Sequence, residues 1–200
     1  MNLSPLPDKA SIAPKAKTKE SSTSQFGMTV FLASLTVLFS ATLAAYWITR
    51  LNSSAWDDAN LGIPWGMLTS TALLIGVSAA LESAKRALRK NQQKQLNNAL
   101  RLTAALAVAF LIGQTVNWVS IQELNTGTDT RLLSLFTFYL LTGVHALHVL
   151  GGLIPLGIVL HRAAQREYSS SRDDGVRLLT QYWHFLLGVW MVLLVTMYLT

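Results

Sequence analysis

Three histidines lie within long apolar segments of this sequence, and they are its strongest candidates for chemistry. "FYLLTGVHALHVLGG" (residues 138–152) carries His145 and His148, and "QYWHFLLGVW" (residues 181–190) carries His184. Residues three positions apart share one face of a helix, so His145 and His148 could share a ligand, a partner helix or a proton path. Ionisable side chains inside apolar spans are rare enough to suggest a function.

The segments that hold these histidines belong to a set of five long runs without Asp, Glu, Lys or Arg. The runs are residues 26–49, 59–81, 102–122, 132–160 and 178–200. Each exceeds the roughly 18 apolar residues that a helix needs to cross a bilayer. The whole chain is 51% hydrophobic and only 13% charged, whereas a soluble domain carries about 25% charged residues.

These runs predict an all-α fold, an integral membrane bundle of five transmembrane helices. The helices are expected at about 26–49, 60–84, 100–121, 132–160 and 178–199. They form one transmembrane domain (residues 26–200). Residues 1–25 are rich in Ser, Pro, Lys and Ala, which predicts a flexible basic cytoplasmic tail because such a segment buries little apolar surface.

Basic residues are concentrated in alternate segments between the predicted helices. Of the 16 Lys and Arg, 14 lie in the tail or in the second and fourth connections, and only Arg50 and Arg131 lie in the others. This positive-inside asymmetry predicts that the N-terminus is inside and the C-terminus outside. It also accounts for the net charge of +6 without nucleic acid. The chain has no cysteine, which excludes disulfides and thiolate metal sites built from this chain alone.

Haem ligation by facing histidines is one hypothesis for the apolar segments. At 1.5 Å per residue, His145 would lie roughly 20 Å from the outer end of the fourth helix, whereas His184 would lie about 9 Å from the inner end of the fifth. The two depths match poorly for one haem. A haem-bearing, quinone-linked membrane anchor therefore remains only an alternative.

A small transporter is a second alternative. Transport usually needs acidic groups or broken helices at mid-membrane, but Glu82 and Glu123 are predicted at helix ends. The remaining interpretation is that the histidines contact neighbouring helices or lipid headgroups. From the residues alone, the chain is a five-helix membrane protein that serves a partner.

Two motifs resemble those of subunit III of the haem–copper respiratory oxidases. The family pattern Thr-Gly-x-His-Gly-Leu-His-Val is matched by residues 142–149, with Ala146 in place of the usual Gly. The Trp-His-Phe and Val-Trp pattern of the family's last helix is matched at residues 183–185 and 189–190. The resemblance extends from about residue 28 to residue 200 and is to the five-helix bacterial form.

This resemblance implies an accessory subunit that has no cofactor of its own. The haem and copper would lie in partner subunits, chiefly the catalytic subunit I of a proton-pumping terminal oxidase that reduces O2 to water in a bacterial plasma (inner) membrane. The subunit would support proton uptake and turnover stability and would hold structural phospholipid. Cytochrome c is the expected electron donor; a quinol oxidase is the near alternative, and a nitric-oxide-reducing system a more distant one.

The same resemblance selects candidate residues, none of them catalytic or metal-binding. The candidates for contacts with lipid or neighbouring helices are His145, His148, Trp183, His184 and Arg162. The candidates for close helix packing are Gly143, Gly151, Gly152, Ala105, Ala109 and Gly113. Family members often carry intramembrane carboxylates at the positions of Ser34 and Asn117, so the roles of those carboxylates cannot be transferred to this chain.

Overall fold

The computed structural model describes residues 13–52, 65–124, 132–168 and 173–198, and helices dominate this part of the chain. The helices are α1 (Ala13–Asn52), α2 (Trp65–Arg89), α3 (Gln93–Leu124), α4 (Leu132–Ala164) and α5 (Asp174–Tyr198). Each of the five contains a stretch that is long and apolar enough to cross a membrane. The prediction of an all-α fold with five spans is therefore confirmed.

Several helices extend beyond the runs that predicted them. α2 continues to Arg89 and α3 begins at Gln93, because the backbone keeps its helical hydrogen bonds where charged side chains reach water. α1 already begins at Ala13, in the segment expected to be a tail. Residues 1–12 lie outside the described residues, as do the predicted helical positions 60–64 and 199, and the flexibility of the tail stays a prediction.

The connection between α2 and α3 is a tight turn that makes the two helices an antiparallel hairpin. Asn91 has a left-handed backbone (φ 53°), and its N–H donates to the Leu88 carbonyl at 2.9 Å. The Gln92 N–H donates to the Ala87 carbonyl at 2.9 Å. These two bonds form a Schellman motif, which satisfies carbonyls left open at a helix end. α4 ends in the same way at Arg166 (φ 59°).

The described helices pack as a ring of four with one helix outside it. α2 contacts α3, α3 contacts α4, α4 contacts α5, and α5 closes the ring on α2. α1 packs on α5 and α4 and makes no comparable contact with α2 or α3. The interior of the ring holds large buried side chains, among them Phe110, Trp183 and Trp190. The ring is therefore the core, and α1 is the most exposed of the five spans.

Candidate functional site: the histidines of α4 and α5

His145 lies in the centre of the four-helix ring and is completely buried. Its imidazole packs against Trp190 at 5.0 Å between ring centroids, against Phe110 at 5.9 Å and against Phe39 at 6.3 Å. Neither ring nitrogen has a hydrogen-bond partner among the described residues. His145 therefore contacts neighbouring helices through its ring faces and edges.

His148 lies on the side of α4 that faces α1 and is half-buried. Its Nδ1 is 2.7 Å from the Val144 carbonyl oxygen, to which it can donate. Its ring is 5.0 Å from that of Phe39, and its backbone carbonyl accepts a hydrogen bond of 2.7 Å from the Tyr182 hydroxyl on α5. Phe39 thus contacts both α4 histidines, while only His145 reaches the aromatic core of the ring.

His184 joins α5 to α2 through both of its ring nitrogens. Nδ1 is 2.5 Å from the Ser78 hydroxyl oxygen, and Nε2 is 3.2 Å from Glu82 Oε1. The same carboxylate oxygen accepts from Lys85 Nζ at 2.8 Å. The His184 and Glu82 side chains are 39% and 37% exposed, so the group lies at the edge of the ring. His184, Ser78 and Glu82 thus form a polar contact between α5 and α2, which we call the clamp.

Sequence reasoning missed Ser78 and Glu82 as partners of His184. The sequence predicts that Glu82 lies at the end of the second helix and that His184 lies about 9 Å from the inner end of the fifth. These two depths are compatible with a contact, but the sequence does not show that α2 and α5 are neighbours, as they are in the structure. The described residues contain no group of three or more His, Cys, Asp or Glu arranged to hold a metal ion.

The packing candidates occupy very different surroundings. A Cβ on Gly152 would lie 2.7 Å from Tyr182 Cε1 and 3.3 Å from Trp183 Cζ2, so α4 and α5 approach closely there. A Cβ on Gly143 or Gly151 would meet no atom of the described residues within 4 Å. Among the described residues, only Gly152 of these three therefore lies at a tight contact.

The small-residue stripe of α3 is not a close contact between described helices. Ala105 is exposed, whereas Ala109 and Gly113 are half-buried. A Cβ on Gly113 would lie 4.0 Å from the Ser70 hydroxyl oxygen, an ordinary contact distance. The role of this stripe in close helix packing stays a prediction.

Trp183 and Arg162, the remaining contact candidates, lie in opposite environments. Trp183 is 1% exposed and packs against Gly152, while Arg162 is exposed near the C-terminal end of α4. Arg162 Nε is 3.9 Å from Glu167 Oε2. Beside Arg162, Tyr168 is buried in the α4–α5 connection, and this burial raises the pKa of its hydroxyl group, against the opposing effect of the Arg162 guanidinium.

Ser34 and Asn117, which stand where family members often carry carboxylates, have hydrogen bonds of different kinds, one within a helix and one between helices. Ser34 is exposed, and its hydroxyl donates to the Val30 carbonyl at 3.0 Å. Asn117 is buried, and its Nδ2 donates to Ser70 Oγ at 3.3 Å. A Cβ on Gly66 would collide with the Asn117 side chain, so this glycine makes room for the amide. At position 117 the polar residue therefore holds α3 against α2.

A cavity of about 310 Å³ lies between α1 and α5. Its walls are formed by Thr36, Phe39, Ser40, Leu43, Phe185, Gly188, Val189, Val192 and Leu193. Apart from two hydroxyl side chains this lining is apolar, so the cavity suits a hydrocarbon chain better than a polar substrate. It lies where the outer helix meets the ring.

Five apolar spans define a multi-pass membrane protein, in which a polar contact joins α5 to α2 and an apolar cavity lies between α1 and α5. A sequence model described as Cytochrome c oxidase subunit III matches residues 10–200. The chain therefore belongs to the cytochrome c oxidase subunit III family, and it is a subunit III of a haem–copper oxidase.

Individual relatives agree with this family. The chain is 33% identical to cytochrome c oxidase subunit 3 of Synechocystis sp., over 87% of this chain and 74% of that protein. It is 29% identical to the subunit 3 of Thermostichus vulcanus, over 86% of this chain and 85% of the relative. The subunit 3 of Corynebacterium diphtheriae is 26% identical, again with 86% and 85% covered.

Proposed function

We propose that this chain is an accessory, non-catalytic subunit of a proton-pumping oxidase that reduces O2 to water, with cytochrome c as electron donor. The observation that carries the proposal is the match to subunit III along residues 10–200, and the relatives are named for cytochrome c. Haem and copper would belong to partner subunits, chiefly the catalytic subunit I. The chain would support proton uptake and turnover stability, and it would lie in a bacterial plasma membrane.

The first experiment is purification of the oxidase in mild detergent through a tag on residues 1–12, with the visible redox spectrum recorded for each band of a native gel. We expect a haem- and copper-bearing chain to co-migrate with this chain. This chain expressed alone is expected to be colourless. Haem absorbance in the isolated chain would overturn the proposal and favour the alternative of a haem-bearing membrane anchor.

The electron donor is tested on the same preparation. O2 consumption with reduced cytochrome c and with a reduced quinol separates the proposed oxidase from the quinol oxidase alternative. We expect turnover with cytochrome c and little with quinol. Turnover with quinol and little with cytochrome c would leave the family assignment intact and identify a quinol oxidase.

The proposed orientation is N-terminus inside and C-terminus outside, supported by the distribution of basic residues. Because the chain has no cysteine, single cysteines can report each side. We expect a cysteine at Asn91, in the turn between α2 and α3, to react with an impermeant maleimide only from the cytoplasmic side. A cysteine at Thr128, between α3 and α4 in sequence, should react only from the opposite side, and exchanged labelling would contradict the orientation.

Lipid binding is proposed for the cavity between α1 and α5. Its support is the apolar lining and the position of the cavity beside α1, which packs on two of the four other described helices. An acyl chain in this cavity would fill space that α1 and α5 leave between them, and it would strengthen the attachment of α1 to the ring.

A further inference from the structure

Three fully buried side chains in the four-helix ring, Trp183, His145 and Gln114, have polar atoms without a described hydrogen-bond partner, and the last two have two such atoms each. His145 is 0% exposed and Gln114 is 1% exposed. Both ring nitrogens of His145, and both the oxygen and the nitrogen of the Gln114 amide, lack hydrogen-bond partners among the described residues. More than nine in ten buried polar groups in proteins are paired with protein or with ordered water.

The contacts between α3 and α4 place His145 closer than Gln114 to the N-terminal end of α3. Trp118 Nε1 donates to Thr142 Oγ1 at 3.1 Å. Because the long Trp118 side chain leans toward the N-terminus of α3, this bond places Thr142 closer than Trp118 to that end. One turn further along α3 toward its N-terminus lies Gln114, and one turn further along α4 toward its C-terminus lies His145. The helices are antiparallel, so both steps lead in the same direction. The contact between the rings of Phe110 and His145 agrees with this register.

Side-chain direction brings the two groups together. A long side chain in a helix leans toward the N-terminus of its own helix. Gln114 therefore leans toward the N-terminal end of α3, and His145 leans toward the N-terminal end of α4. Because His145 lies closer than Gln114 to the N-terminal end of α3, the amide and the imidazole lean toward each other. The aromatic rings of Phe110 and Trp190 flank the imidazole and offer it no conventional acceptor.

We propose that an internal water molecule bridges the imidazole of His145 and the amide of Gln114 inside the four-helix ring. A buried water typically makes about three hydrogen bonds to groups that would otherwise be unsatisfied. One ring nitrogen and the two ends of an amide provide both donors and acceptors for it. In this arrangement His145 holds a water molecule inside the ring, whereas His184 joins two helices directly. The inference rests on the fold and not on the electron donor or the catalytic partner.

The direct test is a density map of the intact wild-type oxidase at a resolution that shows ordered water. We expect a water peak within hydrogen-bond distance of both Gln114 and His145. A direct hydrogen bond between the two side chains, or density that shows the space to be dry, would overturn the proposal. The family assignment would stand in either case.

Substitutions give a second readout. Gln114→Leu should remove the water peak and lower the temperature at which this chain leaves the oxidase. His145→Phe with Gln114→Leu should restore part of that shift, because neither group then needs a partner. Thr115→Val is the matched control, since Thr115 is exposed and donates to the Leu111 carbonyl of its own helix.

The control should keep both the peak and the dissociation temperature. Retention of the water peak in Gln114→Leu would contradict the proposal, as would strictly additive shifts in the double variant. If Gln114→Leu fails to assemble, the wild-type map alone decides.

Discussion

At the scale of single residues, the three intramembrane histidines have three different environments. His145 is a buried ring among aromatic rings, His148 lies under the outer helix, and His184 clamps α5 to α2. Because His184 is bonded elsewhere, the three do not converge on one ligand. The shared motif spacing of His145 and His148 therefore reflects a helix that contacts different neighbours along its length.

The clamp predicts energetic coupling between His184 and Glu82. Each side chain is more than a third exposed, so the coupling should be small, about 0.5–1 kcal/mol. His184→Ala, Glu82→Ala and the double variant would be compared by thermal dissociation of this chain from the oxidase. A cycle of His184 with Ser83 is the control, because Ser83 donates only to the Ala79 carbonyl in the structure.

We expect the cycle with Ser83 to be additive and the cycle with Glu82 to be non-additive. Equal behaviour of the two cycles would mean that the His184–Glu82 contact contributes nothing to the attachment of α5 to α2. The haem spectrum should be unchanged in all variants, since none of these residues is expected to bind haem.

At the scale of helices, the adjacent glycines of α4 predict opposite effects of the same substitution. Gly152→Ala would force a Cβ against the Tyr182 and Trp183 rings, and overpacking of this kind costs about 1–3 kcal/mol. Gly151→Ala would place its Cβ in open space and should gain up to about 1 kcal/mol in helix propensity.

The measurement is the temperature at which this chain leaves the oxidase, with the Tyr182 and Trp183 environments followed by near-UV circular dichroism. Gly152→Ala should lower that temperature and change the spectrum, while Gly151→Ala should do neither. If Gly151→Ala proved the more damaging, α4 would pack most tightly on another subunit and not on α5.

The existence of the helices could be predicted from sequence, but not their pairing. Charge-free runs identify the spans because hydrocarbon tolerates few charges. They miss the ends, where Lys85 and Arg86 stay helical inside α2. They also cannot show that Glu82 meets His184, or that Asn117 needs Gly66 beside it, because such contacts depend on which helices are neighbours. The histidines were therefore found from sequence and their partners were not.

At the scale of the whole molecule, α1 is attached differently from the other four helices. The ring of α2 to α5 closes on itself, whereas α1 rests on α5 and α4 with an apolar cavity beneath it. Contacts such as the stacking of Phe31 on Tyr182 at 6.0 Å hold part of this seam. If lipid fills the cavity between α1 and α5, loss of lipid from the oxidase should also weaken the attachment of α1 to the ring.

Filling the cavity tests that link. Gly188 lines the cavity and its Cβ position is open, so Gly188→Leu should occupy the space proposed for an acyl chain. Gly157→Leu is the matched control, because Gly157 is an equally open and exposed glycine on α4 that does not line the cavity. Native mass spectrometry would count phospholipids per oxidase, and O2 consumption would count turnovers before inactivation. We expect Gly188→Leu to lose bound lipid and to inactivate sooner, while Gly157→Leu matches the wild type; equal lipid counts in the two variants would refute lipid binding at this seam.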